Sequence, residues 1–479
     1  PGANPTDSAF FEAAPKTRAR MTAFGMTKRA GISAENDDVL AAVMNAGTGS
    51  ICLVGKSHTY HVEAALGISK AENTENIARS VAHIVAQGRE ALFDAEHFFD
   101  GYKSDPDYAL EACRAALAAG ARWVVLCDTN GGTLPHEVRS IFGEVKNLIS
   151  VKMGIHAHND SEVAVANSLN AIQAGAEQVQ GTINGYGERC GNANLVSIIP
   201  NLKIKMGINC VTDEQLQSLK DVSAFVDELA NKAHWNQQPF VGKSAFAHKG
   251  GVHVSAVRKN SKTYEHVQPE KVGNHQRILV SELSGKSNIL HKAKEYGLDV
   301  DDKDPKVQKI LESLKESENL GFQYEGAEAS FELMMRDALG QKEIFFDFIG
   351  FRVIVEKRRE DEEPISEATV KLRVNGIQEV SAAEGTGPVN ALDKAIKKAL
   401  VKFYPELEEV NLYDYKVRIL EEKKGPRAKT RVLIESSDHH SKWGTVGVSE
   451  NIIEASWQAL IDSIDYKLNH QRDGGLNEQ

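Results

Sequence analysis

A (β/α)8 TIM barrel with its first two strands absent, followed by helical linker subdomains and a C-terminal α+β domain of two βββα repeats, is the fold class this sequence predicts. Three observations carry the prediction. Short apolar runs alternate with amphipathic helices from residue 20 to about residue 185; polar, reactive side chains follow the runs; and residues 351–464 contain a duplication. Strand alternating with helix implies parallel strands joined by helical crossovers.

The apolar runs are Met21–Met26, Ile51–Val54, Ala91–Phe93, Trp123–Cys127, Val151–Ile155 and Gln178–Ile183. Between them, Asp107–Ala119 places Ala109, Ala112, Cys113, Ala116 and Leu117 on one helical face, and Ser161–Ala174 does the same with Val163, Ala166, Leu169 and Ile172. Six such units are present, whereas a closed barrel needs eight. Asp94 and Glu96, Asp128 and Thr129, His156 and His158, and Asn184 and Glu188 all sit just after a run. In a barrel those positions form the mouth, whereas an open doubly wound sheet would cluster them at one crevice. The expectation is therefore a barrel missing two strands, with Pro1-Gly2 just after the second.

Further on, Asp213–Ala233 reads as one long amphipathic helix, and Lys306–Ser317 and Ala327–Leu339 as two more. The duplication pairs FRVIVEK (351–357), ATVKLRV (368–374), EVSAAEGTGP (379–388) and VNALDKAIKKAL (389–400) with YKVRILEEK (415–423), TRVLIES (430–436), HHSKWGTVGVSE (439–450) and NIIEASWQALIDSI (451–464). Each copy predicts three strands and a helix, with charged loops at RREDEEP (358–364) and KKGPR (423–427). The expected boundaries are 1–210 for the barrel, 211–345 for barrel end and linker, 346–468 for the C-terminal domain, and a disordered tail at 469–479.

Of the 479 residues, 41% are hydrophobic and 26% charged, with a formal net charge of -11. An acidic chain has no general attraction for nucleic acid or anionic lipid. No apolar stretch reaches the roughly 18 residues of a membrane span, and no signal peptide is evident at the first residues. Five scattered cysteines without a Cys-x-x-Cys pattern imply reduced thiols and a cytoplasmic location.

Several segments could carry chemistry. His156-Ala157-His158 sends both imidazoles to one side of a strand, where they could share a metal ion; two surface histidines at a strand end are the simpler alternative. Asp160 is placed as a helix N-cap or as a partner of a ligand histidine. NGYGERCGNANL (184–195) carries Glu188, Arg189 and Asn192 on a loop whose glycines permit close backbone approach. The paired acids Asp94 and Glu96, with His97 beside them, suit acid–base work or support of a neighbouring catalytic group, with a solvated loop as the simpler alternative. Thr129 could hold a carboxylate or serve a turn. His248 and His253 flank Gly250-Gly251, and Tyr264 follows.

Taken in order, GKSHTYHV, FDAEHFFDGY, CDTNGGTLP, GIHAHND, NGYGERCGNANL, AFAHKGGVHVSAV, YEHVQPEKVGN, LVSELSGKSNI and the C-terminal repeat resemble the acyl-CoA-dependent 2-hydroxy-acid synthases across the whole chain. That family includes isopropylmalate, homocitrate and citramalate synthases. AHKGGVHVSA, DAEHFFDGYK and ELSGKSN look most like a citramalate synthase subgroup. The resemblance implies metal binding by His156, His158 and Asn192, with Zn, Mn, Co or Mg as the ion. It implies that Glu96 serves acetyl-CoA activation, with His253 and Tyr264 reaching over the site, often in the partner subunit. Thr129 would hold the keto acid's carboxylate, and Phe24 and Val54 would gauge its side chain. The family's Arg-Asp-Gly motif, which supplies a metal-ligand Asp and a polarising Arg, finds no match, so a truncated chain could itself be inactive.

The activity so implied is (R)-citramalate synthesis from acetyl-CoA, pyruvate and water, in isoleucine biosynthesis. A C-terminal regulatory and dimerisation domain would bind isoleucine between its repeats in a homodimer, with Gly385, Gly387, Gly444, Gly447, Asn390 and Asn451 meeting its charged ends. The alternatives are 2-isopropylmalate synthesis for leucine, a citramalyl-CoA lyase on the same barrel, and an effector-binding fragment without turnover.

Overall fold

The computed structural model describes residues 5–13, 17–280, 285–301, 304–420 and 428–476. Residues 281–284 of the LVSELSGKSNI segment, the KKGPR loop and Pro1-Gly2 lie outside that set. Contacts divide the chain into two compact units, residues 1–246 with 267–275, and residues 247–266 with 276–479.

In the first unit every apolar run forms a strand. β1 (Thr22–Met26), β2 (Ser50–Lys56), β3 (Glu90–Glu96), β4 (Trp123–Asp128), β5 (Lys152–Ala157) and β6 (Gln178–Gln180) make one parallel sheet in sequence order. The sheet has six strands and does not close among the described residues, so the arrangement is a half-barrel, with β1 and β6 at its edges.

Strand alternation divides the sheet into two unlike faces. One carries Ala23, Ile51, Leu53, Ala91, Phe93, Ala95, Val124, Leu126, Met153, Ile155 and Ala157, all buried in one core with the helices Lys70–Ala86, Pro106–Ala118 and Pro135–Leu148. Each fully buried Leu, Ile or Phe there contributes about 1.5–3 kcal/mol. The other face carries Cys52, Lys56, Asp94, Glu96, Cys127, His156 and Gln180.

Two local expectations are corrected. Asp213–Ala233 is not one helix but two, Asp213–Gln217 and Leu219–Leu229. The break falls at Ser218, whose hydroxyl donates back to the Gln215 carbonyl at 2.8 Å and competes with the helical ladder. Asp160 does not cap the next helix, which runs Ala164–Gln173 with Val163 at its N-cap. Instead its carboxylate takes both Nε and NH2 of Arg189 at 2.8 Å.

The second unit contains the short pair β7 (Ala247–His248) and β8 (Arg277–Ile278). Helices Pro305–Leu320 and Glu328–Leu339 follow. The duplication is realised as two antiparallel sheets. β9 (Asp347–Glu356), β10 (Ile365–Val374) and β11 (Ile377–Gly385) precede the helix Pro388–Leu400; β12 (Asn411–Ile419), β13 (Thr430–Ser437) and β14 (Lys442–Ser449) precede the helix Ile452–Leu476. Ala368, Val370, Leu372 and Val374 alternate inward on β10, and join Val432, Ile434, Ile396, Leu400, Leu460 and Ile464 in one core.

The last helix continues to Leu476, so the expected disordered tail from residue 469 is corrected over residues 469–476. Leu468 and Asn469 are both buried, and Asn469 Oδ1 accepts the Glu343 N–H at 3.2 Å, which holds the chain in register past the duplicated segment. The glycines expected to face an effector are largely packing positions. A Cβ on Gly444 would collide with the Gly326 carbonyl, and one on Gly447 with that of Ala455. Asn390 and Asn451 side chains accept backbone N–H groups of Thr386 and Ile453 at the helix starts. No helix among the described residues is long and apolar enough to cross a membrane.

Asp462 gives this unit a pH dependence. Its Oδ2 accepts from Ser330 Oγ at 2.6 Å, and burial pushes its carboxyl up to about 6 against that bond and the charge of Lys342. A raised acid holds its proton more tightly folded than unfolded. Its contribution is therefore complete below the usual carboxylate range and is lost as pH rises through about 6. Asp462→Asn is expected to stabilise the unit at pH 8 by about 1 kcal/mol and to change nothing at pH 4, as read by thermal unfolding at the two pH values.

Candidate active site and metal centre

The C-terminal ends of the parallel strands bring the polar face to a rim. β4 and β5 are in register so that Cys127 lies opposite His156, and β6 continues the row with Gln180 opposite His156. A chain of hydrogen bonds crosses the sheet there. Cys52 Sγ lies 3.0 Å from Asp94 Oδ1, Gln180 Nε2 donates to the same oxygen at 2.9 Å, and Gln180 Oε1 meets His156 Nδ1 at 2.7 Å. His156 Nε2 then meets Asn192 Oδ1 at 2.9 Å.

The NGYGERCGNANL loop delivers Asn192 by folding back on itself. A Cβ on Gly187 would collide with the Asn192 side chain, and one on Gly191, whose φ is +95°, with the Gly185 carbonyl. His158 and Asn192 form an isolated antiparallel bridge. Asn184 and Tyr186 donate to the buried Asp227 carboxylate at 2.5 Å each, which ties the loop to the helix Leu219–Leu229.

The expected imidazole pair does converge. The rings of His156 and His158 lie 5.0 Å apart at 30°. His158 Nδ1 is 3.3 Å from the Asp128 carbonyl, so it donates there and leaves Nε2 with a free lone pair. His156 has both nitrogens against amide oxygens. Those amides are oriented by their own donations, Gln180 Nε2 to Asp94 and Asn192 Nδ2 to the Tyr186 carbonyl at 3.2 Å. A neutral imidazole carries one N–H, so it satisfies only one of the two contacts. Burial lowers the His156 pKa, but the hydrogen bonds and charge of Asp94, with Gln180 and Asn192, outweigh it and raise it. The same electron-rich surroundings fit a divalent cation, with nitrogen and oxygen donors from His156, His158 and Asn192.

Sequence reasoning left Cys127 and Gln180 out of this cluster and read Asp94 as an acid–base residue beside Glu96, not as a neighbour of His156. Donor atoms of Asp94, Cys127 and His156 all lie within 4.8 Å of one another. Two-residue alternation from Glu96 and register with His156 would have found them. Burial, with the charge of Asp94, pushes the Cys127 thiol well up, which makes it the weakest donor of the three at neutral pH.

Glu96 lies two residues beyond Asp94 on the same face, half-buried, with Lys56 Nζ 2.5 Å from its Oε2. Thr129 follows β4, and its Oγ1 accepts the His97 N–H at 2.8 Å, which keeps its own hydroxyl hydrogen for a ligand. Arg189 donates to the Thr129 carbonyl at 2.7 Å. Val54 stands between Met26 and Asp94 in register, half-buried; Phe24 lies opposite Cys52 and is 53% exposed on edge strand β1. His253 and Tyr264 belong to the second unit, where their exposed rings stack at 4.2 Å. His248, the other histidine of that segment, is buried against Glu265 at 3.1 Å.

Gln180→Leu removes the bond that orients His156 and is expected to weaken Mn2+ or Zn2+ binding about 10- to 100-fold. His156→Ala is expected to weaken it further. Calorimetric titration of the three proteins checks both, and equal affinities would refute the assignment.

Residues 5–226 match the HMGL-like family, residues 240–321 the homocitrate synthase post-HMGL domain-like family, and residues 325–468 the LeuA allosteric (dimerisation) domain. An (R)-citramalate synthase of Geobacter sulfurreducens is 56% identical over 98% of this chain and 89% of its own length. One of Aquifex aeolicus is 52% identical over 99% of this chain and 91% of its own. A 2-isopropylmalate synthase of Methanocaldococcus jannaschii is 31% identical over 86% of this chain and 78% of its own. These matches lend no support to the expected loss of two strands. With identity of this degree over nearly all of the sequence, the chain belongs to the citramalate synthase family of HMGL-like enzymes carrying a LeuA allosteric (dimerisation) domain.

Proposed function

We propose that the chain catalyses (R)-citramalate synthesis, joining acetyl-CoA to pyruvate with release of CoA. The observation that carries this reading is the convergence of His156, His158 and Asn192 on a sheet rim that also bears Glu96 and Thr129, in a chain so similar to (R)-citramalate synthases. A divalent ion (Zn, Mn, Co or Mg) held by His156, His158 and Asn192 would supply Lewis-acid polarisation of pyruvate's keto group. Thr129 donates its hydroxyl hydrogen to the pyruvate carboxylate. Glu96 takes a proton from the acetyl methyl group, and the C–H electron pair forms the new C–C bond to the keto carbon. Water then cleaves the thioester. His253, with Tyr264 stacked on it, is the second candidate for proton handling. Val54 and Phe24 limit the keto acid's side chain.

Residues 1–210 would be the catalytic domain, 211–345 the linker and 346–468 the regulatory domain of a homodimer. Isoleucine is the effector this reading assigns. It must bind one state better than another to shift activity.

Purified chain should convert pyruvate with acetyl-CoA in preference to 2-oxoisovalerate; preference for the branched acid would replace this reading with 2-isopropylmalate synthesis. Glu96→Gln should lower kcat by about 10²- to 10⁴-fold while leaving the KM for pyruvate near its original value. Isoleucine should inhibit the intact chain.

A further inference from the structure

We infer that Lys56 is a positioning residue for Glu96: by holding Oε2 it leaves Oε1 as the atom that accepts the methyl proton. The inference rests on the functional reading above, in which Glu96 is the base.

The two residues stand directly opposite each other in the β2–β3 register, with side chains on the polar face. Their side chains are only 15% and 22% exposed, so water screens the contact weakly. The backbones beneath cannot slide. Ser57 gives both its N–H and its hydroxyl to the Glu96 carbonyl, at 3.0 and 2.7 Å, and Asn73 donates to the Lys56 carbonyl at 2.8 Å.

On the other side of the carboxylate, His97 Nε2 is 3.9 Å from Oε1, too far for a hydrogen bond. Its ring is fixed by stacking on His61 at 3.6 Å. Burial, with His61 and Lys56 beside it, holds His97 down to about 4, so the ring is neutral at pH 7. Among the described residues Lys56 is then the one cationic group within 4 Å of Glu96. Oε2 is occupied and Oε1 is open. In the step itself the methyl C–H bond breaks, its proton passes to Oε1, and its electron pair stays on carbon for attack on the keto group.

The test is steady-state kinetics of the full chain with pyruvate and acetyl-CoA, comparing wild type, Lys56→Met, Lys56→Arg, Glu96→Gln and the Lys56→Met/Glu96→Gln double variant. Lys56→Met should lower kcat about 100-fold with the pyruvate KM changed less than about threefold. Lys56→Arg, and methylammonium added to Lys56→Met, should each restore at least about a tenth of the wild-type rate. In the Glu96→Gln background Lys56→Met should cost nothing more, because the carboxylate it positions is gone. Losses that multiply in the double variant, or a raised KM at unchanged kcat, would overturn the role. Circular dichroism identifies misfolding, and Lys56→Gln replaces the Met variant if that one unfolds. A wild-type chain that does not turn over this substrate pair overturns the functional reading and this inference with it. Multiplying losses in an active enzyme overturn the role of Lys56 alone.

Discussion

The hydrogen-bond chain from Cys52 through Asp94, Gln180 and His156 to Asn192 holds the candidate site together. It runs across four strands and a loop, and each amide in it is oriented by the bond it makes to the next group. That fixes which atoms of His156 and Asn192 face each other. In a half-buried setting an unpaired member of such a network is costly, and His156 is the member that, when neutral, satisfies only one of its two contacts.

The chain is possible because the sheet has two unlike faces. Parallel strands in register put every second residue on the helix-covered side, where Ile51, Phe93, Leu126 and Ile155 are fully buried. The intervening residues are free to be polar. A one-residue slip of β5 would send His156 into the core and Ile155 to the rim. The apolar face therefore secures the register on which the chemistry depends, and β2 and β3 use the same register to set Lys56 against Glu96.

Helices and loops tighten the arrangement rather than create it. Arg189 joins the Asp160 carboxylate to the Thr129 carbonyl, and Thr129 Oγ1 in turn receives the His97 N–H, so three strand ends are bound through side-chain contacts. The second unit follows a different plan. Apolar and polar residues alternate along β10, which suits a sheet with one face on a core and the other free, whereas β13 sends Val432 and Ile434 to that core and Leu433 to a second one.

Strand positions, the duplication and the imidazole pair were legible in the sequence because each is set by local periodicity: period two along strands, 3.6 along helices. The motif pair GIHAHND and GERCGNANL likewise supplied His156, His158 and Asn192, which the fold brings side by side. Which groups meet there was decided only by the tertiary fold. Cys127 and Gln180 are distant in sequence from Asp94 and become its neighbours only through strand register, which no local pattern records. Ser218 splits a helix through a backward hydrogen bond, and Asn469 extends another through a bond to a backbone more than a hundred residues away. At Asn469 the deciding contact comes from a three-dimensional neighbour, whereas at Ser218 it lies within the helix's own turn and competes with the periodic signal locally.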